Sequence, residues 1–269
     1  MSKPPIKLIA LDIDGTILNK NFELSLMVKS SLQNAIKRGL KVVLATGRMH
    51  SATVPVAEEI GIKTPLITYQ GALIKEYLNS NDVILHQPVP DSLARLVLEE
   101  LRTFDIQTNL YIDDILYTEQ ENDILSEYAV KRFVKYNKID SFDEFETLNT
   151  TKILAISRTE NETDKLICHL NKKFNTQLYI TKSMPEYCEI SDIKVSKGNA
   201  IVHLASRWGI NPSEIMVAGD GENDIEMLKV AGMAVAMGNA SDIVKKEAHI
   251  IAESVDNDGI ATIIDNLEY

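Results

Sequence analysis

Residues 7–16, KLIALDIDGT, join a short apolar run to two carboxylates and a glycine. The run Lys7–Leu11 has the length and apolarity of a strand that is buried on both faces. Asp12 and Asp14 follow it, and because side chains two residues apart point the same way in an extended chain, both can face one site. Gly15 lets the backbone turn sharply beyond them. By itself, the pair is compatible both with a solvated acidic turn and with two carboxylates that share a cation or a proton.

Strand and helix patterns alternate outward from this segment. A helical pattern over 25–39 precedes a second buried strand at 41–45, and a helix that ends near Ile60 precedes a third strand at 66–69. The alternation resumes after residue 190, with predicted helices over 198–208, 224–230, 242–248 and 259–267 and strands over 215–218, 233–237 and 249–252. This order predicts an α/β fold whose parallel strands are joined by right-handed crossovers.

The middle of the chain has a different pattern. A hairpin is predicted over 73–85 around the turn cluster Asn79–Asp82. Beyond it the pattern predicts helices over 91–104 and 162–174, and short strands over 109–112, 153–157 and 178–181. We interpret this stretch as an α+β unit inserted into the α/β core. The predicted domains are residues 1–85 for the first part of the core, 86–189 for the insertion and 190–269 for the second part of the core.

Three further polar segments lie at predicted strand ends or helix starts. Thr46-Gly47-Arg48 offers a hydroxyl and backbone N–H groups for an anion, although a helix cap beside a surface arginine fits too. Lys197 opens the 198–208 helix, where a cation is useful if it meets an anion; an exposed lysine is the alternative. The segment Gly219–Asp224, GDGEND, follows the apolar run IMVA. Its acids suit Mg²⁺, which takes few protein ligands, better than they suit a plain turn.

The predicted position of these segments indicates that they form one site. In an open α/β sheet, ligands bind at the carboxyl ends of the strands, where all four segments are predicted to lie. Carboxylates for a metal, together with a hydroxyl, a lysine and an amide for an anion, indicate magnesium-assisted chemistry on phosphate.

The four segments resemble the motifs of the haloacid dehalogenase-like phosphohydrolase superfamily, and the resemblance is closest to its Cof-like group of sugar-phosphate and small-phosphate phosphatases. In chain order the motif-like segments are Asp12–Thr16, Ala45–Arg48, Ser196–Gly198 and Gly219–Asp224. The order, the spacing and the insertion between the second and third segments also match. One departure is that Gln70-Gly71-Ala72 stands where the family usually has Asn-Gly-Ala.

The resemblance implies a Rossmann-like core with a large inserted cap, and a Mg²⁺-dependent phosphatase of small phosphate monoesters such as sugar or cofactor phosphates. Asp12 would be the nucleophile that forms an aspartyl-phosphate, and Asp14 the general acid and base. The implied metal ligands are Asp12, the Asp14 carbonyl, Asp220 and, directly or through water, Asp224.

The same resemblance places other residues around the substrate. Phosphoryl oxygens would be bound by the side chains of Thr46, Lys197 and Asn223 and by backbone N–H groups near Ile13. The candidates for substrate specificity are Arg48, Gln70 and Gly71. The inserted unit would act as a lid that excludes water and selects the leaving group.

Two other functions share parts of this pattern. A phosphomutase-type phosphoryl transferase would also use an aspartyl-phosphate. A receiver-like signalling module would accept a phosphoryl group without turnover, although such a module needs no large insertion between its motifs. Transfer of a trapped phosphoryl group to a second hydroxyl, or steady-state phosphate release, separates these alternatives from a phosphatase.

The composition of the chain bears on which classes of partner it can bind. The chain has 269 residues and a net charge of −11, so it lacks the cationic surface that duplex nucleic acid or an anionic membrane requires. Its two cysteines, Cys168 and Cys188, cannot form a disulfide framework, and the residues after Met1 have no pattern of a secretory signal. We therefore expect a cytoplasmic protein whose partner is a small phosphorylated metabolite; the pattern does not indicate an oligomeric state.

Overall fold

The computed structural model describes residues 4–104, 106–132 and 134–267. Residues 1–3, which open the stretch interpreted as carrying no secretory signal, lie outside this part. The chain forms two compact units, one composed of the segments up to Leu85 and from Ser196 onward, the other of His86–Val195. Within the described residues, no helix is long and apolar enough to cross a membrane.

The first unit contains the predicted alternation of strands and helices. Up to the insertion its elements are β1 (Leu8–Leu11), α1 (Leu26–Lys37), β2 (Lys41–Leu44), α2 (His50–Ile60), β3 (Leu66–Thr68), β4 (Leu73–Lys75) and β5 (Val83–His86). The second unit, described next, takes up α3–α5 and β6–β11. The first unit then continues with α6 (Lys197–Arg207), β12 (Ile215–Gly219), α7 (Ile225–Val230), β13 (Met233–Ala236), α8 (Asp242–Lys246), β14 (Ile250–Ile251) and α9 (Gly259–Asp265).

The main sheet of this unit has the strand order β14-β13-β12-β1-β2, and all of its pairings are parallel. Strand β1 is buried throughout, and its residues alternate between two apolar clusters. Ile9 and Leu11 pack with α1 and α9, whereas Leu8 and Ala10 pack with α6 and α7. Helices therefore cover both faces of the sheet, which leaves its carboxyl edge as the place where polar side chains collect.

Strand β3 was predicted to be a third strand of this parallel sheet, but it belongs to another sheet. It pairs in the antiparallel direction with β4, in a separate three-stranded sheet of order β3-β4-β5. Its link to β2 is a single parallel bridge between Ala45 and Ile67. The physical reason is the backbone after β3, since Tyr69, Gln70 and Gly71 all have positive φ angles and return the chain alongside the strand it has just formed.

The second unit is an α+β fold with its own core. Its elements are α3 (Asp91–Leu101), β6 (Gln107–Ile112), β7 (Ile115–Thr118), α4 (Asp123–Arg132), β8 (Tyr136–Lys138), β9 (Thr150–Ile156), α5 (Glu160–Phe174), β10 (Leu178–Met184) and β11 (Tyr187–Asp192). They form a six-stranded sheet of order β10-β11-β9-β6-β7-β8, antiparallel except between β7 and β8. Apolar residues of α3 and α5 pack on one face of it.

The sequence pattern missed four elements of this unit, namely β7, α4, β8 and β11. Strand β11 is buried at every position, so it shows no alternation of polar and apolar residues, and it carries Glu189, Ser191 and Asp192 inside. Because this strand runs past Glu189, the compact unit continues to Val195, beyond the predicted boundary at 189.

Candidate active site

Two neighbouring parallel strands bring the acidic segments together. Strand β1 ends at Leu11 opposite Ala218 of β12, so Asp12 and the Gly219–Asp224 segment leave the sheet side by side. The Asp12 N–H donates to the Ala218 carbonyl at 3.0 Å and continues the ladder one step beyond the strand. The position of both segments at the same sheet edge thus follows from strand register.

Lys197 forms hydrogen bonds with both of these segments. It is the first residue of α6, which Ser196 caps by accepting a hydrogen bond from the Asn199 N–H. The Lys197 ammonium donates to Asp12 Oδ1 at 2.5 Å and to Asp224 Oδ1 at 2.6 Å, and its side chain has no solvent exposure. An exposed lysine, the alternative reading, is therefore wrong for this residue.

The Asp224 carboxylate is anchored on its other side by the loop that carries it. Its Oδ2 accepts hydrogen bonds from the backbone N–H groups of Asp220 and Gly221, at 3.0 and 2.9 Å. Ligand oxygens of Asp12, Asp220 and Asp224 all lie within 4.8 Å of one another. We call these three residues and Lys197 the carboxylate cluster.

Burial and mutual repulsion shift the titration of this cluster. Burial raises the pKa of Asp12 above its usual range; Lys197 opposes this rise and Asp224 adds to it. Burial, followed by the charge of Asp224, raises the pKa of Asp220 to about 6. Burial alone would lower the pKa of Lys197, but the carboxylates of Asp12 and Asp224 raise it above its usual value.

The cluster has the donor set of a divalent cation site. With three carboxylates and one ammonium, it holds more negative than positive charge when ionised, in a place where Asp12 is 6% and Asp224 1% exposed. Such proximity is costly unless a cation or a proton offsets it. Carboxylate oxygens are the ligands that Mg²⁺ takes, so the residues present fit this ion.

Gly15 makes room for Asp220 at the edge of the cluster. Its φ angle is +81°, and a Cβ atom there would lie 2.2 Å from Asp220 Oδ2, so a side chain fits neither the backbone nor the space. Thr16 donates its hydroxyl to Asp220 Oδ1 at 3.4 Å. The glycine of the first motif therefore serves close packing between the first and fourth motifs as well as a turn.

Asn239 is a residue of this site that the sequence analysis did not identify. Its amide Nδ2 donates to the Gly15 carbonyl at 2.9 Å and to Asp220 Oδ2 at 3.1 Å, and its Oδ1 accepts from the Val255 N–H at 3.0 Å. It ties the first motif, the Asp220 carboxylate and a distant loop together. The signal available in the sequence was its place just after β13, another strand of the same parallel sheet.

The Asp14 carboxylate is engaged elsewhere. Arg48 donates to it through two nitrogens, Nε to Oδ2 at 2.8 Å and Nη2 to Oδ1 at 2.5 Å. The guanidinium also lies over the ring of Phe22, 5.6 Å from its centroid. The structure therefore places Arg48, a predicted specificity residue, directly on the predicted acid and base.

Asn223 and Thr46, the remaining residues that are predicted to contact phosphate, are both hydrogen-bonded to Gln70. The Asn223 amide donates to Gln70 Oε1 at 2.9 Å, and the Gln70 N–H donates to the Thr46 carbonyl at 2.9 Å. Thr46 is buried, and its hydroxyl accepts from the Arg48 N–H at 3.2 Å. Helix α2 begins only at His50, so Thr46 does not cap it.

Gly71 and Ile13, two other predicted site residues, have structural contacts. A Cβ atom at Gly71 would lie 2.4 Å from the Ser196 carbonyl oxygen, so this residue packs against the turn that precedes α6. The Ile13 side chain is buried, and its carbonyl accepts from the N–H groups of Thr16, Ile17 and Leu18. The predicted contact of an N–H group near Ile13 with phosphate stays a prediction.

Known proteins are similar to this chain in sequence and in fold. A family model described as haloacid dehalogenase-like hydrolase matches residues 9–264. The chain is 29% identical to the phosphatase YwpJ of Bacillus subtilis, over 97% of this chain and 100% of that protein. It is 28% identical to the pyridoxal phosphate phosphatase YbhA of Escherichia coli, over 96% and 97%. A solved structure, TM0651 from Thermotoga maritima, superposes with a TM-score of 0.87 at 32% identity and covers 98% of each chain.

Proposed function

Since the chain belongs to the haloacid dehalogenase-like hydrolase family and is a phosphatase that acts on small phosphorylated molecules, we propose that it hydrolyses phosphate monoesters with Mg²⁺ through an aspartyl-phosphate on Asp12. The observation that carries this proposal is the carboxylate cluster, in which Lys197 joins Asp12 to Asp224 at hydrogen-bond distance. Asp12, Asp220, Asp224 and the Asp14 carbonyl would hold the ion. When bound, Mg²⁺ supplies positive charge that offsets the repulsion between a carboxylate nucleophile and a phosphate dianion.

Asp12 is suited to attack because one of its oxygens is held. Lys197 binds Oδ1 and thereby orients Oδ2, which forms the bond to phosphorus in this proposal while the bond from phosphorus to the leaving oxygen breaks. The buried ammonium also supplies a fixed positive charge beside the transferring group. Thr46, Lys197 and Asn223 are the proposed ligands of the phosphoryl oxygens.

Asp14 is the proposed donor of the proton that the leaving oxygen receives. In the second step it takes a proton from the water that attacks phosphorus, and Asp12 is released as a carboxylate. In the structure this carboxylate is partly exposed and is paired with the Arg48 guanidinium. Arg48 must therefore share or release this carboxylate during the reaction.

The substrate class that we propose is a sugar phosphate or a cofactor phosphate. The support is the relatives, among them the pyridoxal phosphate phosphatase, and the size of the inserted unit. The role of that unit as a lid that selects substrates stays a prediction, as do a cytoplasmic location and the absence of nucleic-acid partners.

The test is steady-state release of phosphate from p-nitrophenyl phosphate in the presence of Mg²⁺, followed by a screen over sugar and cofactor phosphates. Asp12→Asn should abolish turnover with an unchanged circular dichroism spectrum, because an amide is a very poor nucleophile. Asp82→Asn, a change at an exposed residue between β4 and β5, is the matched control and should behave as wild type. Turnover by Asp12→Asn above a few per cent of wild type would refute the assignment of the nucleophile.

A further inference from the structure

We propose that Gln70 is a positioning residue that holds the Asn223 amide in place for phosphate, so that the anion affinity of this chain depends on the side chain that replaces the family's usual Asn. The inference rests on the proposed function in one respect, namely that Asn223 contacts the phosphoryl group. Its own basis is a set of contacts that connects Gln70 to the second and fourth motifs.

The backbone at Gln70 has a conformation that glutamine seldom adopts. Its φ and ψ angles are 59° and 20°, in the left-handed region, with Tyr69 and Gly71 also at positive φ. A non-glycine residue in this region is uncommon, and where it occurs the surrounding structure must hold it. Here the Gln70 N–H donates to Thr46, and the residue is only 6% exposed. The surrounding structure therefore holds the Gln70 backbone in this uncommon conformation.

The side-chain amide lies between two motifs. Its Oε1 accepts from Asn223 Nδ2 at 2.9 Å, in the fourth motif. Its Nε2 lies over Gly47 of the second motif, where an added Cβ atom would stand 2.4 Å from that nitrogen. The bare backbone of Gly47 thus provides the space that the glutamine amide occupies.

This contact decides which way Asn223 presents its donors. An asparagine amide has two N–H groups, and the bond to Gln70 engages one of them and sets the plane of the other. A donor that is already oriented loses less conformational entropy when the anion binds. Asparagine at position 70 has one methylene less, about 1.5 Å of reach, which stretches the 2.9 Å bond beyond hydrogen-bond distance.

Three variants break the contact in different ways. Gln70→Gly removes the side chain, and glycine adopts the positive φ without strain. Gln70→Asn shortens the side chain in a conformation that asparagine tolerates. Gly47→Ala leaves Gln70 in the sequence but displaces its amide. Each should raise the Kd for orthophosphate, measured by calorimetry with Mg²⁺ present, by about 3- to 10-fold, the effect of one lost hydrogen bond.

A double-mutant cycle distinguishes positioning from a merely structural role. Asn223→Ala should weaken orthophosphate binding, and Gln70→Gly added to it should cause no further loss, because Gln70 acts through Asn223. In turnover, the Gln70 variants should raise KM for different phosphate esters by a similar factor and change kcat little. Circular dichroism and thermal melting identify any variant that fails to fold, in which case the other two carry the test.

Each result supports or overturns the proposal. Wild-type affinity in Gln70→Gly, an equal loss in both backgrounds of the cycle, or a wild-type protein that binds no orthophosphate overturns it. Orthophosphate binding needs no turnover, so a protein that shows the coupling but releases no phosphate from esters refutes the proposed function and leaves the role of Gln70 intact. A turning-over enzyme without the coupling refutes the role of Gln70 alone.

Discussion

Asp220→Asn should stabilise the metal-free protein at alkaline pH, although it removes a proposed metal ligand. The structure raises the pKa of Asp220 from 3.8 to about 6, through burial and the nearby charge of Asp224. At about 1.36 kcal/mol for each pKa unit, the ionised carboxylate costs the folded state roughly 3 kcal/mol. An asparagine carries no charge and escapes this cost.

The hydrogen bonds of Asp220 reduce that gain. The carboxylate accepts from the Thr16 hydroxyl and from the Asn239 amide, and an asparagine has only one acceptor oxygen for the two donors. One lost hydrogen bond costs about 1 kcal/mol. The free energy of unfolding of the variant in chelator at pH 8 should therefore exceed that of wild type by about 2 kcal/mol, the difference between these two effects.

The sign of the effect changes with pH. A carboxyl whose pKa is higher in the folded state binds more protons when folded, so its contribution to stability is lost as pH rises from 3.8 to about 6. At pH 4 the wild-type carboxyl is mostly protonated in the folded state, but it is already more than half ionised in the unfolded chain, which costs wild type about 0.5 kcal/mol. The variant should therefore be less stable by about 0.5 kcal/mol at this pH, the lost hydrogen bond less that cost.

Urea denaturation in EDTA, at intervals between pH 4 and pH 8, measures this difference. Carboxyl groups outside the carboxylate cluster titrate in the same range but cancel between the two proteins, and Asp82→Asn should parallel wild type throughout because this side chain is exposed. Stability curves of Asp220→Asn and wild type that stay parallel across the range, or a variant that is less stable at pH 8, would refute the reasoning.

Further predictions concern the same cluster. Lys197→Met should lower the free energy of unfolding in chelator by about 3–5 kcal/mol, since Asp12 and Asp224 lose their buried cation. Urea denaturation that shows a decrease in this free energy of less than about 1 kcal/mol contradicts the prediction. Asn239→Ala should weaken Mg²⁺ binding about 10- to 100-fold in calorimetry, because it frees the Asp220 carboxylate, and excess Mg²⁺ should restore kcat; an unchanged affinity argues against that role. EDTA should abolish phosphate release, Mg²⁺ should restore it, and Ca²⁺, with its longer and looser coordination, should inhibit it; full activity in chelator contradicts the metal assignment.

Much of the core could be predicted from the pattern of residues. Runs such as Leu8–Leu11 are apolar throughout because parallel strands are buried on both faces, and the intervening helical spacing marks the crossovers. The inserted unit was predicted less completely. Its strand β11 carries buried polar residues, and α4 has a weak apolar face, so the local pattern does not reveal them.

The candidate site divides in the same way. Its acids and its lysine stand at strand ends and helix starts, which local sequence reveals because turns and caps have characteristic residues. By itself, the sequence determined the chemistry that gathers at one sheet edge. Only the tertiary structure decided that Lys197 is buried between two carboxylates and that Arg48 donates hydrogen bonds to Asp14. It also decided that Asn239 and Gln70 form hydrogen bonds with residues of the fourth motif. Such contacts join residues far apart in the chain, and their geometry depends on how the elements pack, which no local pattern encodes.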